Sequence, residues 1–381
     1  MRSTSVIAAL IATLITGVPD PVRGSQPAPL PSPRQAVVRA AAPTAPKFLA
    51  ADRADLLRRL NRFAEPGCDL EAELFADAAD GRLDAFSPLE AALVASGVTD
   101  RGQLQEYVNR ALHLARQLQA TGIDRLSPQE QVETVFNFLH RHVLYGGYDL
   151  AATDLRQVFD SGRFNCVSAT VLFNDLALKL GFDCTALEMP GHAMSRVSTP
   201  TGPVDVETTC PRWFELMHDP QQQAALVAQT AGTAAAADRS QAREVTPIQI
   251  IAMIYYNRAV DFLAEKRFAD AAAANAKALR LDPTNKTARG NLLATLNNWS
   301  IELVNSRRFA AAVDLLRQGL ALDPRFEPFT QNYVHLHRQW SDTLCRAGKH
   351  PEALAVLSRA AREMPDCEPL RLLQRDLANR K

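Results

Sequence analysis

The chain has no net charge, few cysteines and no long apolar run, and each shortage narrows what it can do. Lysine and arginine number 42, as do aspartate and glutamate, so there is no global field to draw in nucleic acid or an anionic membrane. No nucleic-acid partner is expected. Six cysteines in 381 residues, Cys68, Cys166, Cys184, Cys210, Cys345 and Cys367, are too few and too scattered for a disulfide scaffold. No Cys/His cluster has ligand spacing: His140 and His142, like His335 and His337, lie two apart on predicted helices, with their rings on different faces. Neither a metal nor another cofactor is expected. At the N-terminus, the apolar run from Val6 to Val18 covers 13 residues, where a membrane span takes about 20.

That short run follows Met1-Arg2, the charged start of a secretory signal. Residues 1–24 are therefore expected to be a signal peptide and the protein to be exported, periplasmic or extracellular. Membrane contact would come only through this segment, left uncleaved. Between Pro19 and Pro46 stand eight prolines, a composition that holds the chain extended and denies it a core. Residues 25–47 accordingly read as a tether. Export would permit disulfides, and Cys184 with Cys210 is a candidate bridge between neighbouring strands.

From residue 48 to about Tyr145 the pattern is helical, beginning with a charged amphipathic segment from Ala51 to Phe63. Ser87-Pro88-Leu89-Glu90 and Ser127-Pro128-Gln129-Glu130 each set a Ser N-cap, a Pro at the first helical position and a Glu at the third, the reciprocal cap of a helix start. Leu104, Val108, Ala111, Leu112 and Ala115 mark a helix from about Asp100 to Ala120. Val132, Val135, Phe136 and Leu139 mark the next. These form a layer for the following segment to pack on.

That segment, Gly162 to Thr209, carries the chemistry. Asn165 can cap a helix from Cys166 to Leu180 that stops at Gly181. Strands follow at Cys184–Met189, at His192–Val197 after the Pro190-Gly191 turn, and at Val204–Thr209. Cys166 in the first helical turn meets the positive end of the helix dipole, which favours a thiolate and, after attack on a carbonyl, an oxyanion. His192, at a strand start, is the candidate base. The third member must orient and stabilise the imidazolium, and Asp205 and Glu207 share one strand face. A hairpin turn centred near Pro200-Thr201 sets Arg196 opposite Asp205 and leaves Glu207 nearer His192. Glu207 is therefore favoured, with Asp205 as the alternative acid.

Gln221 to Thr246 is rich in Gln and Ala and reads as a linker with some helical tendency, 219–246. Beyond it the chain repeats every 41 residues: Leu281-Asp282-Pro283 with Leu322-Asp323-Pro324 and Met364-Pro365, and Ala271 with Ala312 and Ala353. This resembles the tetratricopeptide repeat, whose period is 34. Two additional helical turns account for the difference without rotating the buried face. Residues 247–381 are thus expected to form an all-α solenoid that docks a protein partner.

The Asn165-Cys166 pair opening a helix, Gly181 ending it, Gly191-His192-Ala193 at a strand start and Val206-Glu207-Thr208-Thr209 together resemble the transglutaminase-like superfamily of papain-like cysteine enzymes. With helices before and after, the arrangement also resembles the bacterial SirB-like proteins. The resemblance implies an α+β domain over 48–218, helical layer included, with Cys166 as nucleophile, His192 as base and Glu207 as acid. It leaves the oxyanion partner open, Asn165 or Tyr148 being available. The implied activity is thiol acyl transfer or hydrolysis at an amide of a protein or peptide substrate. The competing reading is an inactive domain kept as an interaction scaffold.

Overall fold

The computed structural model describes residues 60, 63–217, 219–231, 240 and 242–379. The expected signal peptide and tether lie outside these residues. The chain divides into two compact units, one of them Leu57–Leu296 and the other containing Asn297–Lys381.

The first unit begins with helices α1 (Asp69–Asp77), α2 (Pro88–Ala95), α3 (Arg101–Gln119) and α4 (Pro128–His142). Both expected Ser/Glu capping boxes are present, at the starts of α2 and α4. A two-residue strand β1 (Gly147–Tyr148), helix α5 (Leu155–Ser161) and strand β2 (Arg163–Phe164) lead into helix α6 (Cys166–Lys179). Strands β3 (Cys184–Met189), β4 (His192–Thr199) and β5 (Gly202–Val206) then form an antiparallel meander.

Helix α6 is the centre of the unit. Its first twelve residues, Cys166 to Ala177, are all buried, the polar Ser168, Thr170, Asn174 and Asp175 among them. It packs against α2, α3, α4 and the sheet strands β3 and β4. The surrounding elements enclose it on every side.

The presumed linker contains two elements. Helix α7 (Pro220–Ala231) fits its helical tendency, and strand β6 (Arg243–Val245) adds an antiparallel edge to β3, with Ala186 opposite Val245. Sheet order is β5-β4-β3-β6. Helix α8 (Pro247–Ala264), expected to open the repeat array, packs on α2, α6, β3 and β6 through an unbroken buried run from Ile250 to Tyr255. The expected boundary at 246/247 therefore falls inside this unit. Three residues of strand are too few for an alternation to be read, and α8 is too uniformly apolar to leave the core.

Helices α9 (Phe268–Leu281), α10 (Lys286–Asn305), α11 (Phe309–Leu322), α12 (Glu327–Arg346), α13 (His350–Glu363) and α14 (Glu368–Ala378) complete the chain. Their starts recur at the 41-residue period seen in the sequence, and so do the left-handed residues before α9, α11 and α13: Lys266 (φ 58°), Arg307 (φ 56°) and Gly348 (φ 75°). Within the second unit a Cβ on Gly319 of α11 would stand 2.5 Å from the Phe329 ring of α12, so only glycine fits that crossing. No described helix is long and apolar enough to cross a membrane.

All six cysteines are free thiols. The expected Cys184–Cys210 bridge is not formed: Cys184 stands in β3, while Cys210 follows the end of β5, which β4 separates from β3. Burial pushes the Cys184 thiol up to about 12.

Candidate active site

The N-terminus of α6 is held by Asn165 from outside the helix, with φ −119° and ψ −174°. Its Oδ1 accepts the Val167 and Ser168 N–H groups, each at 3.0 Å. Ser168 Oγ accepts the Asn165 N–H at 3.0 Å and donates to Ala152 O at 2.8 Å. The Asn165 amide nitrogen donates to Thr153 Oγ1 at 2.6 Å and Leu150 O at 3.2 Å. Asn165 thus spends both its amide protons on the preceding loop and serves as a support. The cap takes the second and third N–H groups of the helix and does not take that of Cys166.

His192 opens β4 opposite Met189, directly after Gly191, whose φ of 73° makes the turn. The β4–β5 register sets Arg196 opposite Asp205, as the hairpin argument requires. Arg196 grips that carboxylate with Nε at 2.7 Å and Nη2 at 3.1 Å, and reaches Glu244 with Nη1 at 3.1 Å. Asp205 is accordingly the partner of an arginine. Glu207, just past the end of β5, places Oε2 2.5 Å from His192 Nε2. Its Oε1 accepts the Thr209 N–H at 3.0 Å and the Thr209 hydroxyl at 2.5 Å.

Neither side chain of the His192/Glu207 pair has any exposure, and the charges of the two define each other. Burial alone would drive the Glu207 carboxyl up, but His192 and the Thr209 donors outweigh it and hold its pKa below the ordinary glutamate value. Burial would likewise drive His192 down; Glu207, with Cys166 assisting, reverses that and raises the imidazole well above its ordinary range. The second ring nitrogen, Nδ1, is buried and has no hydrogen-bond partner. Cys166 is also a neighbour of the ring, and with Nε2 committed to Glu207, Nδ1 is the atom left to meet its thiol.

Tyr148 arrives beside these groups through the parallel β1–β2 pair, in which Tyr148 stands opposite Phe164. The pair closes because Gly146 lies flush on the neighbouring chain: a Cβ there would be 2.3 Å from Ser161 O and 2.6 Å from Arg163 N. The Tyr148 hydroxyl is buried with no conventional partner. Burial, then the nearness of Cys166 and of Glu207, raises its pKa.

One group was not anticipated. His140 of α4, set aside in the sequence as unsuited to metal binding, lies near Glu207 and the Thr208 backbone. Its ring sits 4.5 Å from Phe136 and 6.3 Å from Phe164, with Nε2 buried and unpartnered. Burial pushes its pKa down to about 4, against the opposing pull of Thr208 and Glu207. Its place four residues after Phe136 put it on the buried face of α4, which was the available signal. Among the described residues no three His, Cys, Asp or Glu side chains form a metal-binding group.

Residues 105–255 match the transglutaminase-like superfamily. They form a transglutaminase-like domain. The match runs from within α3 to within α8 and so takes in Cys166, His192, Glu207, Tyr148 and the added edge strand β6. No curated protein and no solved structure matches the chain at a significant level.

Proposed function

We propose that the transglutaminase-like domain is a thiol acyltransferase or hydrolase acting at an amide bond of a protein or peptide. The observation that carries this is the buried His192/Glu207 pair with Nδ1 left open toward Cys166. Most buried ring nitrogens are hydrogen-bonded, so an unpartnered Nδ1 on a ring beside a thiol supports a role in proton transfer. An imidazolium held by a buried carboxylate instead stabilises a neighbouring thiolate and can hand its proton to a departing amine. In this reading Cys166 attacks the carbonyl, His192 moves the proton and Glu207 orients the ring. Water or an amine then takes the acyl group from the thioester.

The helical hairpins at period 41 support a tetratricopeptide-type array that docks the substrate or a second protein. The apolar run after Met1-Arg2 supports export. The SirB-like resemblance fits this order of helical layer, cysteine domain and helical pairs.

Alkylation by iodoacetamide, followed at the Cys166 peptide by mass spectrometry, tests the site. At neutral pH Cys166 should outpace the half-buried thiols Cys68, Cys345 and Cys367 despite its own burial, and His192→Ala should slow it on the order of tenfold or more. A Cys166 that reacts no faster than an ordinary thiol, or is indifferent to His192→Ala, would sink the enzyme reading and leave the domain as a scaffold.

A further inference from the structure

The active centre described so far supplies a nucleophile, a base and an orienting acid, but only one backbone donor, the Cys166 N–H, for the charge that builds on the substrate oxygen. A second donor must be a polar hydrogen, unengaged and beside the thiol. The described residues offer few such atoms. Asn165 is spent on Thr153 and Leu150. The buried side-chain nitrogens and oxygens without a partner are those of His140, Tyr148, Asp175, His192, Asn275 and Asn298. Asp175 is paired with Lys179 through its other oxygen, and the unsatisfied atoms of the two asparagines are carbonyl oxygens. His192 Nδ1 is the base. His140 stands across the Phe164 ring, with Glu207 and Thr208 as its neighbours. That leaves the Tyr148 hydroxyl, the only one of these, apart from His192, for which the Cys166 side chain is itself a neighbour.

Resting on the acyl-transfer reading, we infer that Tyr148 is a catalytic residue whose phenol O–H, together with the Cys166 N–H, holds the oxyanion of the tetrahedral intermediate. The placement is built into the backbone. Gly146 N–H bonds to Gly162 O at 3.0 Å and Asp149 N–H to Phe164 O at 2.8 Å. These bonds bracket Tyr148 and tie it to the strand that runs straight into Asn165 and Cys166. The Tyr148 ring is fixed edge-on to Phe164 at 6.1 Å. A donor preset in this way needs no rearrangement when charge appears, which is what makes such donors effective. The raised pKa keeps the phenol protonated, as a donor must be.

The step balances as follows. Cys166 sulfur, its proton now on His192 Nδ1, forms a bond to the carbonyl carbon while the C=O π pair moves to oxygen. Tyr148 and the Cys166 N–H donate hydrogen bonds to that oxygen and give up no proton. The pair returns to carbon as the C–N bond breaks, the nitrogen takes the proton from Nδ1, and a thioester on Cys166 remains.

Two reagents separate this role from that of the triad. Iodoacetamide alkylates the thiolate by displacement, with no oxyanion; 4-nitrophenyl acetate acetylates it through one. In Tyr148→Phe, acetylation of the Cys166 peptide should fall on the order of 10²-fold, while alkylation proceeds at the wild-type rate. Tyr148→His, which keeps a ring-borne donor, should recover part of the loss. Unchanged acetylation, or equal losses with both reagents in both variants, overturns the role of Tyr148 and leaves the triad standing. If wild-type Cys166 responds to neither reagent, the acyl-transfer reading falls and this inference with it.

Discussion

His192 Nε2 and Glu207 Oε2 lie 2.5 Å apart with both side chains sealed from solvent, and the two stabilise each other's charge against burial. Asp205, two residues earlier, is bound instead to Arg196. In the proposed reaction this division separates the orienting acid, Glu207, from a carboxylate that holds the hairpin, Asp205.

Substitution should show it. Glu207→Gln should lower acyl transfer by about 10²-fold or more, by analogy with loss of the orienting acid in a triad. Asp205→Asn should leave turnover near wild type and cost about 1 kcal/mol of stability, the usual worth of a partly exposed ion pair. Initial rates and urea denaturation of the two variants check the ranking; the reverse order would mean that the wrong carboxylate has been assigned.

The pair also has a pH signature. Glu207, with its folded pKa depressed, adds stability that is present above about pH 4.3 and fades as pH falls through the folded value. His192, with its folded pKa raised, adds stability that is whole below about pH 6.5 and fades as pH rises toward the folded value. The stability gap between wild type and Glu207→Gln should therefore be widest between those two pH values and shrink toward pH 9. Urea midpoints at pH 5.5 and 9 measure it.

His140 works in the opposite direction. Its pKa of about 4 means that the unfolded chain binds its proton first as pH falls from 6.5, so stability is lost, by up to about 3 kcal/mol by pH 4. His140→Phe, which keeps a ring against Phe136, should lose correspondingly less stability over that interval. An unchanged acid limb would show that His140 is free to protonate in the folded state.

Much of this was legible in the sequence because the relevant rules are local. Ser87, Ser127 and Asn165 announced their helix starts by cap chemistry, and the Pro200-Thr201 turn fixed which carboxylate Arg196 would meet. The misses are non-local. Strand β6 exists only because the β3 edge is there to receive Arg243–Val245, and β1–β2 is two residues long, stabilised by how closely Gly146 can approach. Neither leaves a periodic trace. His140 was judged as a metal ligand and not as a neighbour of Glu207, since nothing in its own helix points to the segment that follows β5.

The position of the domain boundary can be tested by dissection. A fragment of residues 57–296 should fold cooperatively, whereas one ending at 246 would strip α8 from α6 and β3 and should aggregate. Sedimentation and thermal melts distinguish them. A soluble, cooperative 57–246 fragment would show that α8 is dispensable to the core.

The enclosure of α6 on every side has a consequence for descent. The helix that presents Cys166 is also the hydrophobic centre of its unit, so selection for folding alone would preserve almost all of it, chemistry or none. If the proposed reaction ceased to matter, the sulfur would be the member free to drift, since His192 and Glu207 also hold each other's charge in the core. A lineage could lose the reaction by a single substitution at position 166 and keep the architecture indefinitely, which makes the identity of that one atom the sensitive record of whether a given descendant still works.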